Sequence, residues 1–108
     1  MTHRQNLHIV RVDIAPEVEE AFNRWYDTVH VPALLRCPGW LSARRYVVLD
    51  GGPKYMAIYE IAGAWAYETE EFERTRGFGE FEEHIRNFSR MRCAQIYPAV
   101  TFAAEEER

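Results

Sequence analysis

Trp40 to Ile61 reads WLSARRYVVLDGGPKYMAIYEI, two alternating runs joined by a tight turn. Trp40 to Leu49 alternates as a strand, with Trp40, Ser42, Arg44, Tyr46 and Val48 on one face and Leu41, Ala43, Arg45, Val47 and Leu49 on the other. Asp50-Gly51-Gly52-Pro53 is turn chemistry, because adjacent glycines allow the positive φ angles of a tight reversal. Lys54 to Ile61 then returns antiparallel, with Tyr55, Ala57, Tyr59 and Ile61 on one face and Lys54, Met56, Ile58 and Glu60 on the other.

Upstream, Cys37-Pro38-Gly39 is a turn signal. Before it, Pro16 stands where a helix begins, followed by glutamates that favour the positive end of the dipole. Val18, Phe22, Trp25 and Val29 form a core-facing stripe, and Pro32, which lacks a donor and disfavours helical geometry at Val31, predicts the helix end. Leu7 to Ile14 predicts a first strand, with His8, Val10, Val12 and Ile14 sharing a face. Downstream, Ala64 to Arg74 predicts an acidic helix with Trp65 and Phe72 on one face, interrupted by Gly77 and Gly79. Phe78, Phe81, Ile85 and Phe88 predict a third helix, and Met91 to Val100 a last strand ending near Pro98. The charged segment Ala103 to Arg108 reads as a frayed tail.

The order is β-α-β-β-α-β, an α+β ferredoxin-like protomer with a four-stranded antiparallel sheet and its second α unit in two pieces. Helices cover one sheet face. The strands carry apolar residues on both sides, so the open face needs a cover, and a second copy is the simplest one.

The chain has 108 residues, a single-domain length (1–108, with its core about 7–100). Hydrophobic residues make up 47% and aromatics 14%, which excludes a disordered chain. A net charge of −4 argues against nucleic acid or an anionic membrane as partner. Neither a signal peptide nor a membrane-length apolar run is visible, so a cytoplasmic protein is expected. Cys37 and Cys93 form no Cys-x-x-Cys pair, and His3, His8, His30 and His84 have no i, i+4 spacing, so neither a metal nor another cofactor is expected. Phosphate loops and nucleophile elbows are absent from the sequence.

The most specific string is Trp25-Tyr26-Asp27-Thr28-Val29-His30-Val31-Pro32-Ala33-Leu34-Leu35, followed by Pro38-Gly39-Trp40, Ala43-Arg44-Arg45-Tyr46, Lys54-Tyr55 and Tyr59-Glu60. It resembles the pattern of the dimeric α/β-barrel superfamily, close to its EthD-like and uncharacterised members, from about Leu7 to Pro98. The resemblance implies a protomer that pairs through its open sheet face into a barrel, with His30 lining a cavity. It also implies a function among cofactor-free polyketide cyclases, lactone isomerases, small monooxygenases and haem-handling proteins. Fold analogy does not choose among these.

The helix itself adds an independent reading. Tyr26 and His30 lie at about 80° and 120° on the wheel, one turn apart on a shoulder of the apolar stripe. An imidazole there suits general acid–base work near neutrality, with Tyr26 donating a hydrogen bond and Asp27 orienting the ring. Arg44 shares a face with Tyr46, and its planar fork suits an oxyanion, whereas Arg45 points the other way. Trp25, Asp27, Tyr46, Tyr55 and Tyr59 are the candidate substrate-binding residues. Each has a structural alternative: His30 caps a helix end, Arg44 pairs with Glu60 or Asp13, and the tyrosines fill a core or dimer interface. His84 is a haem ligand only in a minority reading.

These residues point to cofactor-independent lyase, cyclase or isomerase chemistry, by proton transfer, on a small aromatic or polyketide-like substrate in a homodimer. The rivals are a cofactor-free monooxygenase acting on a phenol and a non-catalytic small-molecule-binding or stress-associated dimer.

Overall fold

Four strands and a series of short helices account for residues 4–96, the part of the chain that the computed structural model describes. β1 (Asn6–Ile14), β2 (Trp40–Val47), β3 (Tyr55–Ile61) and β4 (Ile85–Ala94) form one antiparallel sheet in the order β2-β3-β1-β4. This is the ferredoxin-like α+β arrangement that the element order predicts. On β1 the buried side chains are His8, Val10, Val12 and Ile14, and on β3 Ala57, Tyr59 and Ile61, so the core lies on one face of the sheet. Among the described residues no helix is long and apolar enough to cross a membrane. The expected tail Ala103 to Arg108 and the expected strand end, Tyr97 to Val100, lie outside the described residues.

The first helical unit does not stop at Pro32. A 3-10 turn (Pro16–Val18) leads into α1 (Glu19–Trp25), a π turn (Tyr26–His30) and α2 (Val31–Leu35). In the π turn the Val31 N–H reaches back five residues to the Tyr26 carbonyl. That wider turn precedes Pro32 and takes up the hydrogen-bond mismatch a proline brings, so the helix continues instead of breaking. It also changes which residues face the sheet. Phe22, Tyr26, His30 and Leu34 recur every four residues, a spacing that drifts about 40° per step on a 3.6-residue helix and that a wider turn winds back. These four are buried, whereas Val29, expected on the apolar stripe, is 52% exposed. Complete burial of Phe22 contributes about 1.5–3 kcal/mol.

The second α unit departs further from expectation. A 3-10 segment (Ala64–Glu68) precedes α3 (Glu70–Thr75), which begins where Thr69 Oγ1 accepts the Phe72 N–H at 3.1 Å. Phe72 is buried and Trp65 is half exposed, so they do not share the single helical face predicted. The predicted third helix is a 3-10 segment (Gly79–His84) and then strand, since Ile14 pairs with Ile85 and Asp13 with Arg86. Phe78 and Phe81 are buried beneath the helical layer, whereas Ile85 and Phe88 belong to β4, which starts six residues before the predicted Met91.

Two details of β2 place the site. Gly39 adopts φ +87°, and a Cβ there would lie 2.9 Å from both Ala66 Cβ and Trp65 Cη2, so only glycine lets the chain enter the strand against the second α unit. The β2–β3 register then slips between Trp40 and Ser42. The bulge inverts the predicted alternation: Trp40 lies opposite Ile61 and Arg45 opposite Ala57, so both are on the helix-covered face. Arg44 and Tyr46 turn to the open face, where they are exposed.

Candidate functional site

A cavity of about 480 Å³ lies between the helical layer and the β1, β3 and β4 side of the sheet. Its size is ordinary for a small organic ligand. The π turn contributes Tyr26 and His30, α2 contributes Leu34, β1 contributes His8 and Val10, β2 contributes Trp40, and β3 contributes Tyr59. Phe72, Phe78, Phe88, Arg76, Glu82 and Arg90 complete much of the rest.

The polar groups form two small clusters in an aromatic surround. Tyr26 Oη and Tyr59 Oη lie 2.9 Å apart, joining the helix to the central sheet. Burial raises the pKa of both phenols, so at neutral pH they are hydrogen-bond donors, not phenolates. Two hydroxyls bonded to each other use one O–H between them and leave the second free to donate. In the other cluster, His8 Nδ1 shares a 2.9 Å hydrogen bond with Tyr67 Oη, and the imidazole meets Trp40 edge to face with centroids 5.1 Å apart.

His30 is held differently. Trp25 stacks on it at 4.8 Å with planes 17° apart, and Tyr26 meets it edge to face at 5.0 Å. Among the described residues no hydrogen bond reaches its ring nitrogens. Burial pushes the pKa of His8 and of His30 down to about 4, helped by the charge of Arg90 at His8 and of Arg45 at His30. Both rings are therefore uncharged near neutrality, each with a lone pair able to accept a proton.

Of the residues singled out by sequence, the fold brings Tyr26, His30 and Tyr59 together on the cavity wall. Trp25 stands behind His30 as its stacking partner. Asp27 does not orient His30, because its carboxylate pairs with Arg45 at 2.9 Å. Tyr55 lies on the helix-facing side but is engaged outside the cavity, by Glu19 and by Asn23 at 3.1 Å. Arg44 and Tyr46 are on the opposite sheet face from the cavity. The guanidinium on the helix side is that of Arg45, 4.2 Å above the Tyr26 ring and bonded to Asn23 at 2.9 Å, so it supports Tyr26 from behind. His84 does not line the cavity, and its carbonyl accepts the Ala15 N–H.

Sequence reasoning left His8 and Arg90 without a role. The available signal was a single polar ring on the otherwise apolar His8, Val10, Val12, Ile14 face of β1. No comparable signal marks Arg90, which falls between the expected third helix, ending at Phe88, and the expected last strand, beginning at Met91. Among the described residues no group of three His, Cys, Asp or Glu side chains is placed to hold a metal.

No protein-family model and no curated protein matches the sequence. Solved structures do match. A dimeric ferredoxin-like protein from an uncultured marine organism superposes with a TM-score of 0.68 at 15% identity, over 93% of this chain and 95% of that one. A member of the EthD (ethyl tert-butyl ether D) family from Bacillus halodurans gives 0.60 at 15%, over 82% and 96%. A haem degrader from Mycobacterium tuberculosis, solved with two haems in its active site, gives 0.66 at 10%, over 88% and 99%. At these identities the likeness is one of fold, the ferredoxin-like fold.

Proposed function

We propose that this protein is a cytoplasmic, single-domain homodimer that catalyses proton transfer on a small planar aromatic or polyketide-like substrate without a cofactor, as in a lyase, cyclase or isomerase step. The observation that carries the reading is the pair of buried, uncharged imidazoles, His8 and His30, beside the Tyr26–Tyr59 hydroxyl pair on one aromatic-walled cavity. Trp40, Phe78 and Phe88 supply apolar surface for a flat ring, and the cavity volume suits one of moderate size. His30, with ring nitrogens that bond no described residue, accepts the substrate proton. The free O–H of the tyrosine pair donates to the oxygen on which charge develops, with Arg45 behind Tyr26 favouring that charge. His8, oriented by Tyr67, donates or accepts a second hydrogen bond to the ligand.

The dimer reading is supported by the open face, where Tyr46 and Met91 are 43% and 49% exposed, and by the dimeric ferredoxin-like neighbour. Two neighbours, from Bacteroides thetaiotaomicron and Nitrosomonas europaea, carry a provisional assignment as antibiotic biosynthesis monooxygenases, which keeps one second reading: the same deprotonation of an electron-rich phenol, followed by reaction of its anion with O2.

Solvent exchange tests the shared step before the substrate is known. Hydroxynaphthalenes and enolisable aromatic ketones, incubated in D2O with the protein and no added cofactor, are followed by NMR. The reading expects incorporation of deuterium at the acidic carbon faster with the wild type than with His30→Gln. Equal rates overturn the proton-transfer assignment, and substrate-dependent O2 uptake selects the monooxygenase reading.

A further inference from the structure

The β4 side of the cavity carries a cation that the proton-transfer reading leaves unused. Val10 pairs with Arg90 and His8 with Arg92, so both arginines point to the helix-covered side of this edge strand. Arg90 lines the cavity, with its guanidinium 5.5 Å from the centre of the Tyr67 ring, and Tyr67 in turn bonds His8. Among the described residues no carboxylate pairs with Arg90. The other charged groups on the cavity wall are committed. Glu82 Oε2 accepts the Phe78 N–H at 2.8 Å, and Arg76 reaches Glu73 at 3.6 Å while lying over the Phe72 ring. The result is a planar donor fork beside flat aromatic surface from Phe88, Trp40 and Phe78, with a neutral imidazole next to it. A fork of this geometry matches a carboxylate in a two-point contact that an uncharged group cannot replace.

We propose that Arg90 is the anion-binding end of the cavity and that the ligand is a planar aromatic acid, whose carboxylate pairs with Arg90 while its ring lies against Trp40 and Phe88. The proposal rests on the cavity reading above and narrows its substrate class. His8 is the neighbour that donates to the same carboxylate or to an adjacent ring hydroxyl, and Tyr67 positions it.

Calorimetric titration of the full chain with 1-hydroxy-2-naphthoate and with its neutral amide, 1-hydroxy-2-naphthamide, separates the charge from the ring and the hydroxyl. The acid is expected to bind the wild type about tenfold more tightly than the amide, the scale of one charge-assisted contact. Arg90→Gln should remove that preference by weakening the acid far more than the amide, and Arg90→Lys should restore only part of it, because an ammonium keeps the charge without the fork. Equal affinity for acid and amide in the wild type overturns the proposal while leaving the aromatic-cavity reading intact. So does a preference that survives Arg90→Gln. Failure of both compounds to bind overturns the aromatic-cavity reading and this proposal with it. An unchanged melting temperature for Arg90→Gln shows that the readout is binding and not folding.

Discussion

The hydroxyls of Tyr26 and Tyr59 meet 2.9 Å apart, and both side chains are buried, so a single hydrogen bond ties the π turn to the central strand β3 at the wall of the cavity. Removing one hydroxyl strands the other away from water. Tyr26→Phe and Tyr59→Phe should each lower stability by about 1–3 kcal/mol, whereas the double variant should cost clearly less than the sum, because neither hydroxyl is then left unpaired. Urea denaturation of the four proteins measures the coupling. Strict additivity would show that the two groups do not support one another.

The two histidines make stability fall with acid earlier than carboxylates alone would. The pKa values of His8 and His30 are lowered to about 4 in the folded chain, from 6.5 in the unfolded chain. Between those values the unfolded state binds more protons than the native state. Stability is therefore full above pH 6.5, declines as pH falls toward 4, and levels off for these groups below that. The loss is on the order of 3 kcal/mol per ring if each titrates alone. Melting temperature against pH checks it: His30→Gln should flatten the slope between pH 6.5 and 4, and an unchanged slope contradicts the burial argument.

His30→Ala should lower turnover of the true substrate by roughly 10²–10⁴-fold, the usual contribution of a general acid or base. The fold should survive, because Trp25 and Phe78 still close that part of the layer. A melting temperature that drops while ligand affinity is untouched would make His30 a structural ring instead.

Light scattering should give a mass near twice 12.7 kDa. Tyr46→Glu, on the open face and away from the cavity, should shift the protein toward monomer by placing a charge in the covered surface. A wild-type monomer at micromolar concentration removes the dimer reading.

Element order, the turn at Cys37-Pro38-Gly39 and the inward face of β1 were all legible in the sequence, because glycine and proline act locally and period-2 patterning survives wherever a strand is regular. The inward placement of Tyr26 and His30 was legible in part: the wheel puts them on a shoulder of the apolar stripe, and the π turn brings them fully under the helix. Tertiary structure alone decided the rest. Counting by twos from Trp40 puts Arg44 on the face of Trp40, and one bulge between Trp40 and Ser42 exchanges Arg44 for Arg45. The 3-4-3 spacing of Phe78, Phe81, Ile85 and Phe88 fits a helix, yet pairing with β1 at Ile85, Arg86 and Ser89 draws Ile85 and, between the paired residues, Phe88 into a strand, because a free edge on β1 satisfies the backbone there. The same pairing carries Arg90 to the cavity. A register shift costs the sequence no visible signal, but it reverses every side chain beyond it, so the site residues on β2 and β4 could be read only once the strands were paired.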